Sequence, residues 1–237
     1  MRGILASELL KIRGKMVWFL VVLGPVGVIL LQAVNFGLRY DYLTDQYADD
    51  LWGGLIGNVV TLALPTLLIG IAILASMAAG IEHQTNAWKQ LLALPVSRSA
   101  VFAGKALLHV LLLFVSCTLM LIGTLALGFV LGFDAGAIPY GRLAELVYYP
   151  FLAALPLMVL QVWLSITMAN QAVPLTVGII GMIVGMFGSR FDDWVPYKWP
   201  HLINAAGEPL YSVACGIGLG VVLLLIGMLQ FAGKDVK

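Results

Sequence analysis

Residues 16–38 read MVWFLVVLGPVGVILLQAVNFGL and contain no charged side chain. A helix needs about 20 apolar residues to cross the hydrocarbon core of a bilayer, so this stretch is long enough to span a membrane. The apolar core of a cleavable signal peptide is only about 7–15 residues long. The run therefore predicts a transmembrane helix that stays in the protein.

Further apolar runs follow along the chain. Residues 51–81 and 209–233 carry no charge, and residues 106–133 contain only His109. Residues 146–189 form an uncharged run of 44 residues, which is long enough for two helices, and the polar pair Asn170 and Gln171 predicts a turn between them. We therefore expect one all-α membrane domain over residues 1–237 with six transmembrane helices, at about residues 16–38, 54–81, 106–132, 146–168, 172–189 and 210–232.

The overall composition excludes a water-soluble fold. The chain is 61% hydrophobic and only 11% charged, whereas soluble domains carry about 25% charged residues. A soluble domain of this length could not cover its surface with so few polar groups. The surrounding solvent is therefore expected to be lipid.

The basic residues predict an orientation. Nine lysines and arginines lie in residues 1–15, 82–105 and 234–237, and only four lie in the connections on the opposite side. Those opposite connections hold nine of the twelve acidic residues. Because cytoplasmic loops carry the excess of lysine and arginine, both termini are predicted to be cytoplasmic, in a multi-pass protein of the cell membrane.

Two segments outside the predicted spans have an amphipathic pattern. Residues 1–15 place apolar side chains at helical spacing and predict an interfacial helix; a frayed basic flank is the alternative. In the 82–105 connection, Thr85 or Asn86 can cap a short helix with an apolar face that ends at Pro95. This second helix either docks a partner or packs against its own bundle and the lipid headgroups. The apolar positions of the two helices are Ile4, Leu5, Leu9, Ile12 and Met16, and Ala87, Trp88, Leu91 and Leu92.

The sequence offers little for catalysis. No G-x-x-x-x-G-K-[ST] loop is present, so the chain is not expected to bind ATP in that way. No other catalytic or metal motif occurs either, so we expect no enzymatic activity and no cofactor in this chain. No Asp, Glu, Lys or Arg lies in the six predicted spans, which disfavours a proton-coupled carrier. Energy for any transport is then expected to come from a separate subunit.

Polar and small residues within the spans predict how the helices associate. Four amides are candidates for lining a substrate path, although each also fits an interhelical hydrogen bond: Gln32, Asn35, Asn58 and Gln161. Glycine pairs at G-x-x-x-G spacing, among them Gly181 and Gly185, allow helices to approach closely. We favour packing within the chain over a subunit interface for these glycines.

Two segments together resemble a known family. Residues 7–11 read SELLK before the first span, and residues 82–98 read EHQTNAWKQLLALPVSR between the second and third spans. This arrangement is similar to the permease subunits of ABC exporters of type V, or second-type, architecture. It resembles in particular the small permeases of lantibiotic (bacteriocin) immunity and peptide-antibiotic resistance.

The resemblance implies a set of partners and contacts. Each permease would pair with a second copy or a homologous permease and with a cytoplasmic ATPase subunit, which would hold ATP and Mg²⁺; no nucleic acid is expected. Residues 84–94 would be a coupling helix against the ATPase, residues 1–15 a connecting helix, and residues 190–209 an extracellular hairpin. The expected ATPase contacts are Glu82, Gln84, Trp88, Lys89, Leu91, Leu92, Pro95 and Arg98. A smaller cytoplasmic contact is expected at Glu8, Lys11, Asn170 and Gln171.

The expected function is export of a hydrophobic or amphipathic substrate, such as an antimicrobial peptide, driven by the separate ATPase. A different class remains open: a membrane scaffold or sensor that transports nothing and docks a cytoplasmic partner through the same loop. An intramembrane enzyme is a third class, but it would need paired acids or histidines within the spans.

Overall fold

The computed structural model describes residues 2–85 and 97–233, and all regular structure in these two ranges is helical. The α-helices are α1 (Arg2–Lys11), α2 (Val17–Leu38), α3 (Tyr40–Gln46), α4 (Leu51–Gln84), α5 (Arg98–Val130), α6 (Tyr140–Ala153), α7 (Leu155–Thr167), α8 (Ala172–Met186) and α9 (Pro209–Ala232). Single 3₁₀ turns lie at Ala135–Ala137, Gly188–Arg190 and Trp199–His201.

Helices α4 and α5 are much longer than a bilayer crossing requires. They contain 34 and 33 residues, or about 50 Å each at 1.5 Å per residue, against a hydrocarbon core of about 30 Å. Side-chain caps define where they begin: Asp50 accepts from the Gly53 amide at 2.7 Å, and Ser97 accepts from the Ala100 amide at 3.3 Å. Because α4 continues to Gln84 and α5 begins at Arg98, Glu82 and Lys105 are helical, whereas the sequence placed them in a loop.

The prediction of six spans is not confirmed. Within the described residues, α2, α4, α5 and α9 are long and apolar enough to cross a membrane, and α6 with α7 makes a fifth candidate that is bent by 43°. Helix α8 has only 15 residues, fewer than the about 20 that a straight crossing needs. The predicted 172–189 span is cut short because the chain turns into a 3₁₀ segment at Gly188.

The helices form one bundle around α4 and α5. Helix α2 packs on both of them, α4 also contacts α7 and α8, α5 also contacts α1 and α6, and α9 packs on α5, α6 and α7. We call the end that holds α1, the end of α4, the start of α5 and residues 168–171 the basic end. The opposite end, with residues 39–50, 131–139 and 187–208, is the acidic end.

The buried apolar side chains form two separate clusters. The first lies toward the basic end and includes Val21, Leu74, Leu113 and Phe102. The second lies toward the acidic end and includes Phe36, Trp52, Val59, Met120 and Phe133. The core of the bundle is therefore divided along its length.

The glycines of α8 allow close packing within the chain. A Cβ atom at Gly178 would lie 2.2 Å from the Cβ of Ala72 in α4, and one at Gly181 would lie 2.5 Å from the hydroxyl oxygen of Tyr197. These glycines therefore seat α8 against α4 and against the 187–208 segment, as the preference for packing within the chain predicts. The expected hairpin at 190–209 contains only one short turn, at Trp199–His201.

Candidate functional site

Four charged side chains from three helices meet inside the basic end, and we call them the charge cluster: Glu8 and Lys11 of α1, Glu82 of α4 and Lys105 of α5. The Lys11 ammonium lies 2.5 Å from Glu8 Oε1 and 2.8 Å from Glu82 Oε1. The Lys105 ammonium lies 3.0 Å from Glu8 Oε2 and 2.5 Å from Glu82 Oε2. Each lysine thus bridges both carboxylates.

The charge cluster is buried and electrically balanced. Glu8, Glu82 and Lys105 are 4%, 2% and 5% exposed, while Lys11 lies at the edge of the cluster. Burying a charge away from water is costly unless an opposite charge and hydrogen bonds compensate it. Two carboxylates and two ammonium groups provide this compensation here. All four groups are therefore needed for the cluster to hold α1, α4 and α5 together.

The two α1 members show the effect of their partners on pKa. Burial opposes the charged form of Glu8, but the charge of Lys105 and the hydrogen bond from Lys11 outweigh it, and the Glu8 pKa lies below its usual value. Burial likewise opposes the charged form of Lys11, but hydrogen bonds to Glu8 and Glu82 raise the Lys11 pKa. Both groups therefore stay charged near neutral pH.

The charge cluster has further support one turn along α5. The Nδ1 atom of His109 lies 2.7 Å from the carbonyl oxygen of Lys105. Because a carbonyl only accepts, this ring nitrogen carries the proton. On the α1 side, Ile4 packs so closely on Gly104 that a Cβ there would lie 2.5 Å from Ile4 Cγ2. Helix α1 is thus held against α5 by apolar packing as well as by charge.

The predicted coupling segment lies mostly outside the described residues, and this includes Trp88, Lys89, Leu91, Leu92 and Pro95. Gln84 ends α4 on one side of the segment, and Arg98 begins α5 on the other. The carboxylates of Glu82 and Glu8 point into the charge cluster, where they contact lysines. In this conformation they are not at the surface for a partner to reach. Instead they hold helices of the same chain together.

The predicted turn at Asn170 and Gln171 lies close to the end of α4. Gln171 donates from Nε2 to the carbonyl oxygens of Ser165 and Met168, at 2.9 and 2.6 Å. Its side chain and that of Gln84 line the same groove, of about 370 Å³, between α4 and α8. The fold therefore brings together two residues that the sequence assigned to separate cytoplasmic contacts.

Of the four amides proposed for a substrate path, Gln32 and Gln161 connect two helices, while Asn35 and Asn58 bond within their own helix. Gln32 donates to the Asn58 carbonyl at 2.9 Å, and Asn35 donates to Gln32 at 3.1 Å. Asn58 donates to the Gly54 carbonyl at 2.8 Å, and Gln161 donates to the Pro174 carbonyl at 2.7 Å. None of the four lines the large cavity of the bundle, so their place on a substrate path stays a prediction.

That cavity, which we call the central cavity, has a volume of about 410 Å³. It lies between α2, α4, α5 and α6, and residues 200–202 reach it from the acidic end.

The described part of the chain holds no candidate metal centre: no three His, Cys, Asp or Glu side chains there are close enough to share an ion.

A family model described as ABC-2 family transporter protein matches residues 4–185, which is 182 of the 237 residues. The chain belongs to this ABC-2 transporter family. It is thus the membrane-spanning permease subunit of an ABC transporter, and an ABC ATPase is its partner. Searches of the curated proteins and of the solved structures each gave no significant match.

The charge cluster of the permease was missed from sequence because Glu8 was expected to contact a cytoplasmic partner. Glu8 in fact lies four residues after Ile4 and four before Ile12, and Ile12 is fully buried. A helix places residues four apart on one face, so this spacing is the signal that could have located Glu8 on the buried face. Lys11 is a local partner of Glu8 at i+3, but nothing local indicates Lys105, which lies 97 residues further along the chain.

Proposed function

We propose that this permease exports a hydrophobic or amphipathic substrate, such as a membrane-active peptide, across the cell membrane. The basic end would face the cytoplasm, in agreement with the excess of lysine and arginine there. The ATPase subunit would dock on residues 84–94 and supply the energy from ATP and Mg²⁺ that it binds itself.

The observation that carries this proposal is the position of the charge cluster on either side of the proposed docking segment. Glu82 lies on α4 just before that segment, Lys105 lies on α5 just after it, and Glu8 and Lys11 join both to α1. A force applied to residues 84–94 would then move α4 and α5 as one unit, because their ends are held together by buried charge pairs. Both helices line the central cavity, so their joint movement would change its shape.

A partner permease belongs to the same proposal. Helices α2, α8 and α9 expose many large apolar side chains, among them Leu30, Ile180 and Leu229. Lipid can cover part of this surface, and a second copy or a homologous permease would cover the rest. Co-purification of differently tagged copies from one membrane tests for a homodimer, and recovery of one tag alone would point to the homologous permease.

Trp88→Glu tests the docking segment. A negative charge on the proposed apolar contact should abolish ATP-driven transport in proteoliposomes that contain the permease and its ATPase, while the permease still inserts. Transport and ATP hydrolysis are measured together on the same vesicles. Trp194→Glu is the matched control, because Trp194 is exposed at the acidic end.

Two results would contradict the proposal. Normal transport by the Trp88→Glu protein would remove residues 84–94 as the docking segment. Substrate movement by the permease alone, under an ion gradient and without nucleotide, would remove the ATPase as the source of energy. A complex that binds the ATPase but moves no substrate would favour the scaffold or sensor alternative.

A further inference from the structure

The central cavity lies where the two core clusters of the bundle meet. Val21 and Leu74 in its wall belong to the first cluster, and Val59 and Met120 belong to the second. Its walls contain no Asp, Glu, Lys or Arg. The volume of about 410 Å³ falls within the range of about 300–1,000 Å³ that is usual for small-molecule sites.

Three prolines make the cavity wall rich in backbone acceptors. Pro25, Pro65 and Pro150 lie inside α2, α4 and α6. A proline has no N–H group, so the carbonyl four residues before it loses its helical donor. The residues in question all line the central cavity: Val21, Thr61 and Leu146.

Two threonine hydroxyl groups of the wall are also left as acceptors. Thr61 donates its hydroxyl proton to the Gly57 carbonyl at 2.9 Å, and Thr66 donates to the Leu62 carbonyl at 2.7 Å. His201 Nε2 lies 2.8 Å from the Gly185 carbonyl, so Nε2 donates to it. These three donors are used within the protein, whereas the hydroxyl of Ser116, which also lines the cavity, remains a donor.

We propose that the central cavity binds an amphipathic molecule that has an apolar body, carries hydrogen-bond donors and has no negative charge. The apolar body fills the space between the two core clusters. Its hydroxyl, amine or amide protons bond to the carbonyl oxygens that lose their helical donor to a proline and to the threonine hydroxyl oxygens. An anion is disfavoured because it would face mostly acceptors, with the Ser116 hydroxyl as a donor. The conclusion that this molecule is the transported substrate rests on the proposed function.

The central cavity is accessible from outside the bundle. Thr61 of α4 and Met186 at the end of α8 both line it and both are exposed. A molecule dissolved in the surrounding membrane can therefore enter beside Thr61 and Met186 without first passing through the basic end.

The test measures binding to the permease alone, in nanodiscs and without nucleotide. N-phenyl-1-naphthylamine, an apolar fluorescent probe with one N–H donor, should bind saturably with one probe per chain. Decanol should displace it at a concentration about threefold or more below that of decyl methyl ether, which has the same apolar chain and no donor; one hydrogen bond accounts for such a ratio. Decanoate should compete less well than decanol. Equal potency of the alcohol and the ether would overturn the donor requirement.

Two glycines of α4 provide a matched pair of variants. Gly70 lines the central cavity and Gly57 does not, and a Cβ atom at either would meet nothing within 4 Å. Gly70→Phe should weaken probe binding by tenfold or more because the ring occupies the cavity, whereas Gly57→Phe should bind as the unmodified protein does. Equal affinity in the two variants would overturn the site.

A second variant keeps the test decisive if Gly70→Phe does not fold. Thr66→Val preserves shape but removes one acceptor, and it should reduce the preference for decanol over the ether; an unchanged preference would count against the site.

Mass spectrometry of molecules that co-purify with the protein separates bound phospholipid from a donor-bearing amphiphile, and finding only phospholipid contradicts the assigned class. Because no ATPase is present, binding can hold while transport fails, and such a result would refute the proposed function alone.

Discussion

At the scale of single residues, the most informative feature is the pairing of the few acids at the basic end. The described residues of this end hold two of the twelve acidic residues, Glu8 and Glu82, and both are buried in the charge cluster. A buried charge persists only where it is paired. The positions of these acids are therefore determined by Lys11 and Lys105, and the four residues act as one unit.

Lys105→Met should destabilise the permease strongly. The substitution leaves two buried carboxylates with one lysine, and an uncompensated buried charge costs about 3–5 kcal/mol. Unfolding of the purified protein in mixed micelles with increasing denaturing detergent measures the loss. Adding Glu82→Gln should restore part of it, because the double variant removes the orphaned charge.

The control for this prediction is Arg142→Met at the acidic end. Arg142 lies 3.3 Å from Asp50 with both side chains more than half exposed, and an exposed pair contributes at most about 1 kcal/mol. Losses of similar size in Lys105→Met and Arg142→Met would show that the charge cluster does not hold the basic end together.

At the scale of elements, helix length and helix contacts explain where sequence and structure differ. The apolar runs locate α2, α4, α5 and α9 well, because hydrophobicity alone decides whether a segment enters the bilayer. They do not locate the bend between α6 and α7 or the early end of α8. Those two features arise at Ala154, just before Pro156, and at Gly188, where the backbone packs against Tyr197.

Gly178→Leu should disrupt the packing of α8 on α4. Its Cβ would lie 2.2 Å from that of Ala72, and overpacking of a close contact costs about 1–3 kcal/mol or more. Gly218→Leu in α9 is the matched control, because a Cβ there meets nothing within 4 Å. Thermal unfolding in nanodiscs should show a lower midpoint for Gly178→Leu only, and a lower midpoint for both variants would point to a general effect of leucine.

At the scale of the whole molecule, the bundle has two chemically different ends and a core divided by the central cavity. The charge cluster fixes the basic end, whereas the middle of the bundle is less completely packed. Under the proposed function, the end fixed by charge pairs would receive the force, and the end-to-end division of the core would allow the change of shape. The proposed docking segment and the central cavity occupy these two places.

The proposed orientation predicts which residues can be labelled from each side. In a variant without Cys117 and Cys215, a single cysteine at Asn170 should react with a membrane-impermeant maleimide only after cells are opened, and one at Asn204 should react in intact cells. Reaction of both in intact cells would show that α8 does not separate the two sides, and the number of crossings would then be five or fewer.

The sequence by itself determined that this protein is a helical membrane protein, where most of its long helices lie and which end is basic. These properties depend on composition along short stretches of chain, so they can be read without knowing the fold. The 82–98 segment likewise indicated the ABC permease family, which the family match then established.

Only the tertiary structure decided the charge cluster, the central cavity and the actual role of the four amides. Glu8 and Lys105 are 97 residues apart, and the cavity wall combines five helices and a loop. Such features depend on which helix faces meet and at what register. That is fixed by the packing of the whole bundle and leaves no local pattern in the chain.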